Sequence, residues 1–224
     1  MELRAVPTVH DESVRLPSRS AIRALLVAVA LLNVANAACI VAGANTPGTR
    51  YWLLALERNP STWLSAALLA LAGVSAWAAG RGRPDATTWN IVAGILGVLS
   101  VDEVATVHER LAAVPVIPGL GSRGWAGAGL VLVGFVAFKL WRWVLALDGA
   151  LRFTFFLGGA VFVLGAVGFE VIAGNHQSTH GSDATYWVLS TIEENLELLG
   201  VLVVVRGLLD HLARRGDTVS VRVV

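Results

Sequence analysis

Residues 100–110 read SVDEVATVHER and stand at the end of an apolar run that begins near Ala86. The stretch sets Asp102, Glu103, His108, Glu109 and Arg110 against a hydrophobic segment. Two other apolar runs carry acids of their own. Residues 153–173 hold Glu170, and residues 186–212 hold Glu193, Glu194 and Glu197. A charged side chain at bilayer depth costs about 2.5–3.5 kcal/mol on insertion scales, so such groups turn toward a bundle interior or a cavity. The stretch therefore predicts an all-α membrane bundle built around an acidic site.

Composition agrees with that reading. The chain of 224 residues is 55% hydrophobic and 15% charged, against roughly 25% charged in an average soluble domain. A net charge of +1 gives no electrostatic case for nucleic-acid binding. The single cysteine, Cys39, excludes an internal disulfide and a cysteine-based zinc site. Glycine, at 23 residues, suits helices that approach closely through small side chains.

Working outward, the sequence predicts six transmembrane helices at about 22–43, 62–79, 87–112, 125–147, 153–173 and 186–212. They form one membrane domain, 19–213, between a polar tail at 1–18 and a second tail at 214–224. The first span also resembles a signal peptide, with Ala35-Asn36-Ala37 as a cleavage-like site, but its apolar run continues through residue 44 and favours a retained anchor. Asn33 and Asn36 within it are expected to hydrogen-bond to neighbouring helices. Residues 51–58 read as a short interfacial helix, with Glu57 and Arg58 on its surface. Residues 174–184, GNHQSTHGSDA, read as a loop.

Lys and Arg set the orientation. With the N-terminus inside, the inner face holds Arg4, Arg15, Arg19, Arg23, Arg81, Arg83, Lys139, Arg142, Arg152, Arg206, Arg214, Arg215 and Arg222. The outer face holds only Arg50, Arg58, Arg110 and Arg123. This bias predicts that both termini are cytoplasmic. Trp52, Trp63, Trp77, Trp89, Trp125, Trp141, Trp143 and Trp187 fall near span ends and are expected to form aromatic belts. The Ala-, Val-, Arg- and Gly-rich composition points to a bacterial protein of the inner membrane.

Counting from the span ends places Asp102 about ten residues, or ~15 Å, below the outer surface, and Glu193 about seven residues, or ~10 Å. The acids thus converge on the outer half of the bilayer. Helical phase puts Asp102, Thr106 and Glu109 on one stripe of the third span, and Glu193, Glu197 and Gly200 on one stripe of the sixth. Glu103, Glu194 and His108 lie off those stripes, where they either widen the site or face other helices.

Too few cations are nearby to pair the acids, so protons or a divalent metal must balance them. Carboxylates with an imidazole on facing helices are the material of di-metal bundles, although the Glu-x-x-His spacing is absent. The candidate metal ligands are Asp102, His108, Glu109, Glu193 and Glu197, with zinc, iron or manganese as the metal. Glu170, Glu194 and Glu103 are the candidate acid–base residues. Arg110, His176 and His180 are candidates for substrate binding, Arg110 toward an anionic headgroup. The leading expectation is a membrane-embedded enzyme, metal-dependent, acting on a lipid or lipophilic substrate. A proton-coupled transporter or channel would use the same residues, though the inner half lacks a polar ladder. A structural membrane subunit is the plain alternative. The expected partners are membrane lipids, with no nucleic acid and with self-association left open. Gly158, Gly159, Gly165 and Gly168 most simply serve helix packing, and Asp148, Asp210 and His211 mark the inner boundary.

Overall fold

A computed structural model describes residues 18–44, 46–107 and 123–215. Among them every regular element is helical: α1 (Ser18–Val41), a 3-10 turn (Arg50–Trp52), α2 (Pro60–Gly80), α3 (Ala86–Ala105), α4 (Arg123–Ala146), α5 (Gly149–Val163), a π segment (Leu164–Phe169), α6 (Glu170–His180) and α7 (Ala184–Arg215). The helix of α5, the π segment and α6 is continuous, and it counts as one of five helices long and apolar enough to cross a membrane, with α1 to α4 as the others. The most apolar, Ser20–Val41, has a mean hydropathy of 2.4. The sixth predicted span, α7, is the least apolar of the long helices because Glu193, Glu194, Glu197, Arg206 and Asp210 interrupt it.

That least apolar helix is nonetheless the pillar of the bundle. It packs against α1, α2, α5, the π segment and α6. Its buried face, from Leu198 through Val201, Leu202, Val205 and Leu208 to Leu212, meets Leu68, Leu69, Ala72 and Ala76 of α2 in one core. Two devices hold the neighbours close. A side chain on Gly158 would meet the Gly200 carbonyl oxygen at 2.8 Å, and one on Gly200 would meet the Phe162 amide nitrogen at 2.7 Å. Bare backbone therefore lets α5 and α7 touch. From α1, Asn33 and Asn195 exchange reciprocal amide hydrogen bonds of 2.7 and 2.8 Å, and Asn36 Nδ2 donates to Thr191 Oγ1 at 2.8 Å. Both asparagines thus act as expected, as polar contacts between apolar helices.

Several boundaries differ from the sequence reading. The third helix does not run to residue 112. It ends at Ala105, and Thr106 takes a left-handed conformation (φ 53°) whose N–H donates to the Asp102 carbonyl at 2.7 Å. The fifth helix does not stop at residue 173. It continues through the predicted loop to His180, because the turn signal lies at Gly181 (φ 77°), which caps it. Residues 51–58 do not form an interfacial helix: after the 3-10 turn the chain folds inward and buries Leu53 and Leu54 completely. Nor are all tryptophans interfacial. Trp52, Trp63, Trp77 and Trp141 are exposed on the bundle surface, whereas Trp89 and Trp187 are core.

The bundle has two contrasting polar ends. At one, which may be named for Asp85, the carboxylate accepts Arg83 Nε at 2.8 Å, Trp89 Nε1 at 3.1 Å and Trp143 Nε1 at 2.9 Å. Burial alone would raise the Asp85 pKa, but these donors and the Arg83 charge outweigh it and hold the carboxyl below its usual range. His211 lies there too, stacked on Trp89 and 3.2 Å from Asp148. Asp148 and His211, both expected at the inner boundary, are thus partners of each other.

Candidate functional site

The opposite end gathers the acids. Connection 46–59 reaches it from α1, and Asn59 organises the turn into α2. Its Nδ2 donates to the carbonyls of Leu53 (2.6 Å) and Leu56, and its Oδ1 caps α2 by accepting the Thr62 amide at 3.0 Å. Pro60 at the first helical position completes the start signal. The clamped loop places Arg58 in the left-handed region (φ 64°) and sets Glu57 Oε2 3.4 Å from Thr62 Oγ1. Arg58 and Thr106, which among the described residues are the positive-φ residues other than glycine, line one open-sided pocket of about 260 Å³ with Arg50, Ala55, Leu56 and Glu57. Held left-handed backbone at bulky residues is uncommon and concentrates at functional sites.

Beneath that pocket the carboxylates sense one another. Glu197 lies within electrostatic range of Glu103, Glu193, Glu170 and Glu57, and Glu194 within range of Glu197, Glu103, Glu193 and Glu57. Glu170 acts on Glu193 as well. The cluster thus draws on the 46–59 connection, α3, the start of α6 and α7. Its backbone frame is unusual at one point. The π segment widens the helix just before Glu170, and a side chain on Gly165 within it would meet the Glu193 carbonyl oxygen at 2.8 Å and Glu197 Cγ at 3.0 Å. A single π turn inside a helix is a recurrent mark of functional sites. Here it brings the α5–α6 rod directly against the α7 acids.

The predicted site residues divide accordingly. Glu103, Glu170, Glu193, Glu194 and Glu197 come together, with Glu103 of α3 in electrostatic range of Glu194 and Glu197 of α7. Asp102, one position back from Glu103 on α3, is about 100° round the helix. α3 ends three residues beyond Asp102, at Ala105, and the last part of the predicted span, 108–112, lies outside the described residues. The stripe of Asp102, Thr106 and Glu109 is broken by the left-handed Thr106. His108, Glu109 and Arg110 lie outside the described residues. Among the described residues no group of three or more His, Cys, Asp or Glu side chains is arranged to hold a metal ion. His176 and His180 are on helix α6, ring stacked on ring at 4.6 Å. His176 Nε2 is 2.8 Å from Asp183 Oδ1, which also accepts the Tyr186 amide at 2.9 Å and so joins the end of α6 to the start of α7. Those bonds hold the Asp183 carboxyl below its usual range.

Glu57 is the residue that sequence reasoning missed. It was expected on the surface, and the inward fold of Leu53 and Leu54 turns it toward the cluster instead. The available signal was the helix start at Asn59-Pro60: a chain that must enter α2 immediately after Glu57 cannot also form a helix on the membrane surface.

Among the described residues the fold is all-helical, with five helices long and apolar enough to cross a membrane and with carboxylates gathered toward one end of the bundle. The chain belongs to the family described as Domain of unknown function (DUF8692), which matches residues 21–212 and so takes in every helix described above. No curated protein and no solved structure matches the chain.

Proposed function

We propose that the chain is a six-span protein of the bacterial inner membrane, with both termini cytoplasmic, whose outer-half acid cluster is the centre of an enzyme acting on a lipid or lipophilic substrate. The observation that carries the reading is the convergence of Glu57, Glu103, Glu170, Glu193, Glu194 and Glu197 beneath a pocket open at the same end. Like charges so close cannot all stay ionised without compensation. Protons shared among them make the cluster a store of general acid and base. A divalent zinc, iron or manganese ion would serve the same balance and activate water. The ligands proposed for it are Glu193 and Glu197 with Asp102, His108 and Glu109. Transport by the same acids is less well supported. Between Glu197 and His211, about 21 Å along α7, the interior is filled by Leu198, Val201, Leu202, Val205, Leu208 and the facing leucines of α2. A pocket served from one side fits that dry interval better than a path through it.

The test uses full-length protein in vesicles of bacterial polar lipid, with Glu193→Gln and Glu197→Gln alongside. Lipid mass spectrometry is expected to show a species converted by the wild type and not by either variant. Elemental analysis of the same preparations separates the two charge balances: a stoichiometric metal lost in Glu193→Gln assigns the metal, and metal-free active protein assigns protons. Unchanged lipids together with a pH-driven flux through wild-type vesicles would replace the enzyme by a transporter.

A further inference from the structure

We infer that the pocket between Arg50 and Arg58 is a seat for the phosphodiester headgroup of a membrane phospholipid. The inference rests on the membrane reading above and names the substrate class that the acid cluster would meet. Three observations carry it.

First, the pocket is built to hold its shape. Asn59 ties the loop to itself through the Leu53 and Leu56 carbonyls, and Arg58 and Thr106 are both fixed in the left-handed region on its wall. Second, its two arginines have no carboxylate partner among the described residues. Both are exposed. Guanidinium presents a planar fork of donors that matches phosphate oxygens in pairs. Arg50 and Arg58 bring two guanidinium groups to the lining. Third, the setting is that of the headgroup layer. Tyr51 and Trp52, 61% and 47% exposed, follow Arg50 directly, and such aromatics sit at membrane–water interfaces. The volume, about 260 Å³, falls just below the ~300–1,000 Å³ that encloses a drug-sized ligand. It takes a headgroup and leaves the acyl chains to the lipid outside. Glu57, which lines the pocket, also lies within electrostatic range of Glu194 and Glu197 and so connects the pocket to the cluster.

The experiment is a thermal-melt titration of the full chain in detergent. The probes are dihexanoylphosphatidylglycerol, dihexanoylglycerol, which lacks the phosphate, and inorganic phosphate. The phospholipid should raise the melting temperature saturably, and Arg50→Gln/Arg58→Gln should weaken its apparent affinity at least tenfold. Each single variant, and Arg58→Lys, should fall between. Equal responses to dihexanoylglycerol, or equal affinity in the double variant, would overturn the assignment. Saturation by inorganic phosphate with the affinity of the lipid would also overturn it, in favour of a free-phosphate site. The same titration on Glu193→Gln keeps the two proposals apart. Retained phospholipid binding in that variant, with no lipid converted by any form of the protein, leaves the headgroup seat standing and removes the enzyme.

Discussion

Asp85 shows how one side chain can hold three elements. It precedes α3, accepts the indole of Trp89 from that helix and the indole of Trp143 from α4, and fixes Arg83 beside it. Asparagine has the same shape but only one accepting atom, so Asp85→Asn leaves either Arg83 or the two indoles without a partner. The expected cost is about 1–3 kcal/mol. The pH dependence follows from the depressed pKa of the folded state. An unfolded aspartate titrates near 3.9, and the folded one titrates lower. The stabilisation is therefore complete above the unfolded value and fades as pH falls through the folded one. Melts followed by tryptophan fluorescence should show the wild type losing stability below about pH 4. Asp148, whose carboxyl is also depressed once the Leu151 amide, His211 and Arg214 outweigh burial, contributes with the same sign. The gap between wild type and Asp85→Asn should narrow in acid; a gap that is constant with pH would mean that the charge of Asp85 does not matter.

At the level of elements, the contact between α5 and α7 depends on what is missing from it. Gly158 meets Gly200, Gly165 meets the backbone at Glu193, and Gly207 meets the Thr154 side chain, so the seam has a glycine at each of its closest points. Gly159, by contrast, faces open space, and Gly168 meets only Leu164 of its own helix. Of the four glycines that the sequence nominated for packing, Gly158 and Gly165 pack between helices. Gly200→Val would drive methyl groups into the Phe162 amide and the Gly158 carbonyl. Backbone cannot step aside as a side-chain tip can, so the cost should reach or exceed the ~1–3 kcal/mol of ordinary overpacking. Gly159→Val, on the facing helix α5 and one position past Gly158, should cost far less. Paired melts in detergent check this, and equal losses would mean the seam is not tight. The seam also bears on the candidate site, because it continues through the π segment to the helix turn that carries Glu193 and Glu197.

For the whole molecule, orientation is the claim with the widest consequences. Single cysteines introduced on a Cys39→Ala background can be labelled with a reagent that does not cross the membrane. In intact cells, Arg50→Cys and His180→Cys should react, and Arg83→Cys and Arg214→Cys should react only after permeabilisation. The reverse pattern would turn the acid cluster to the cytoplasm. Much of this architecture was legible in the residues alone. Apolar runs of helix length give the helices long and apolar enough to cross a membrane, five among the described residues; the direction read from the arginines is what the labelling tests. These are properties of each segment by itself: transfer of a residue into lipid depends on that residue and its depth, not on its neighbours. What tertiary structure decided was which groups meet. The left-handed Thr106 that ends α3 early, the π turn against the α7 acids and the inward fold that brings Glu57 to the cluster all depend on contacts between segments distant in sequence. Periodicity records the direction a side chain takes from its own helix axis. It carries no record of where one axis stops, or of which other axis stands opposite, because packing against the rest of the chain sets both.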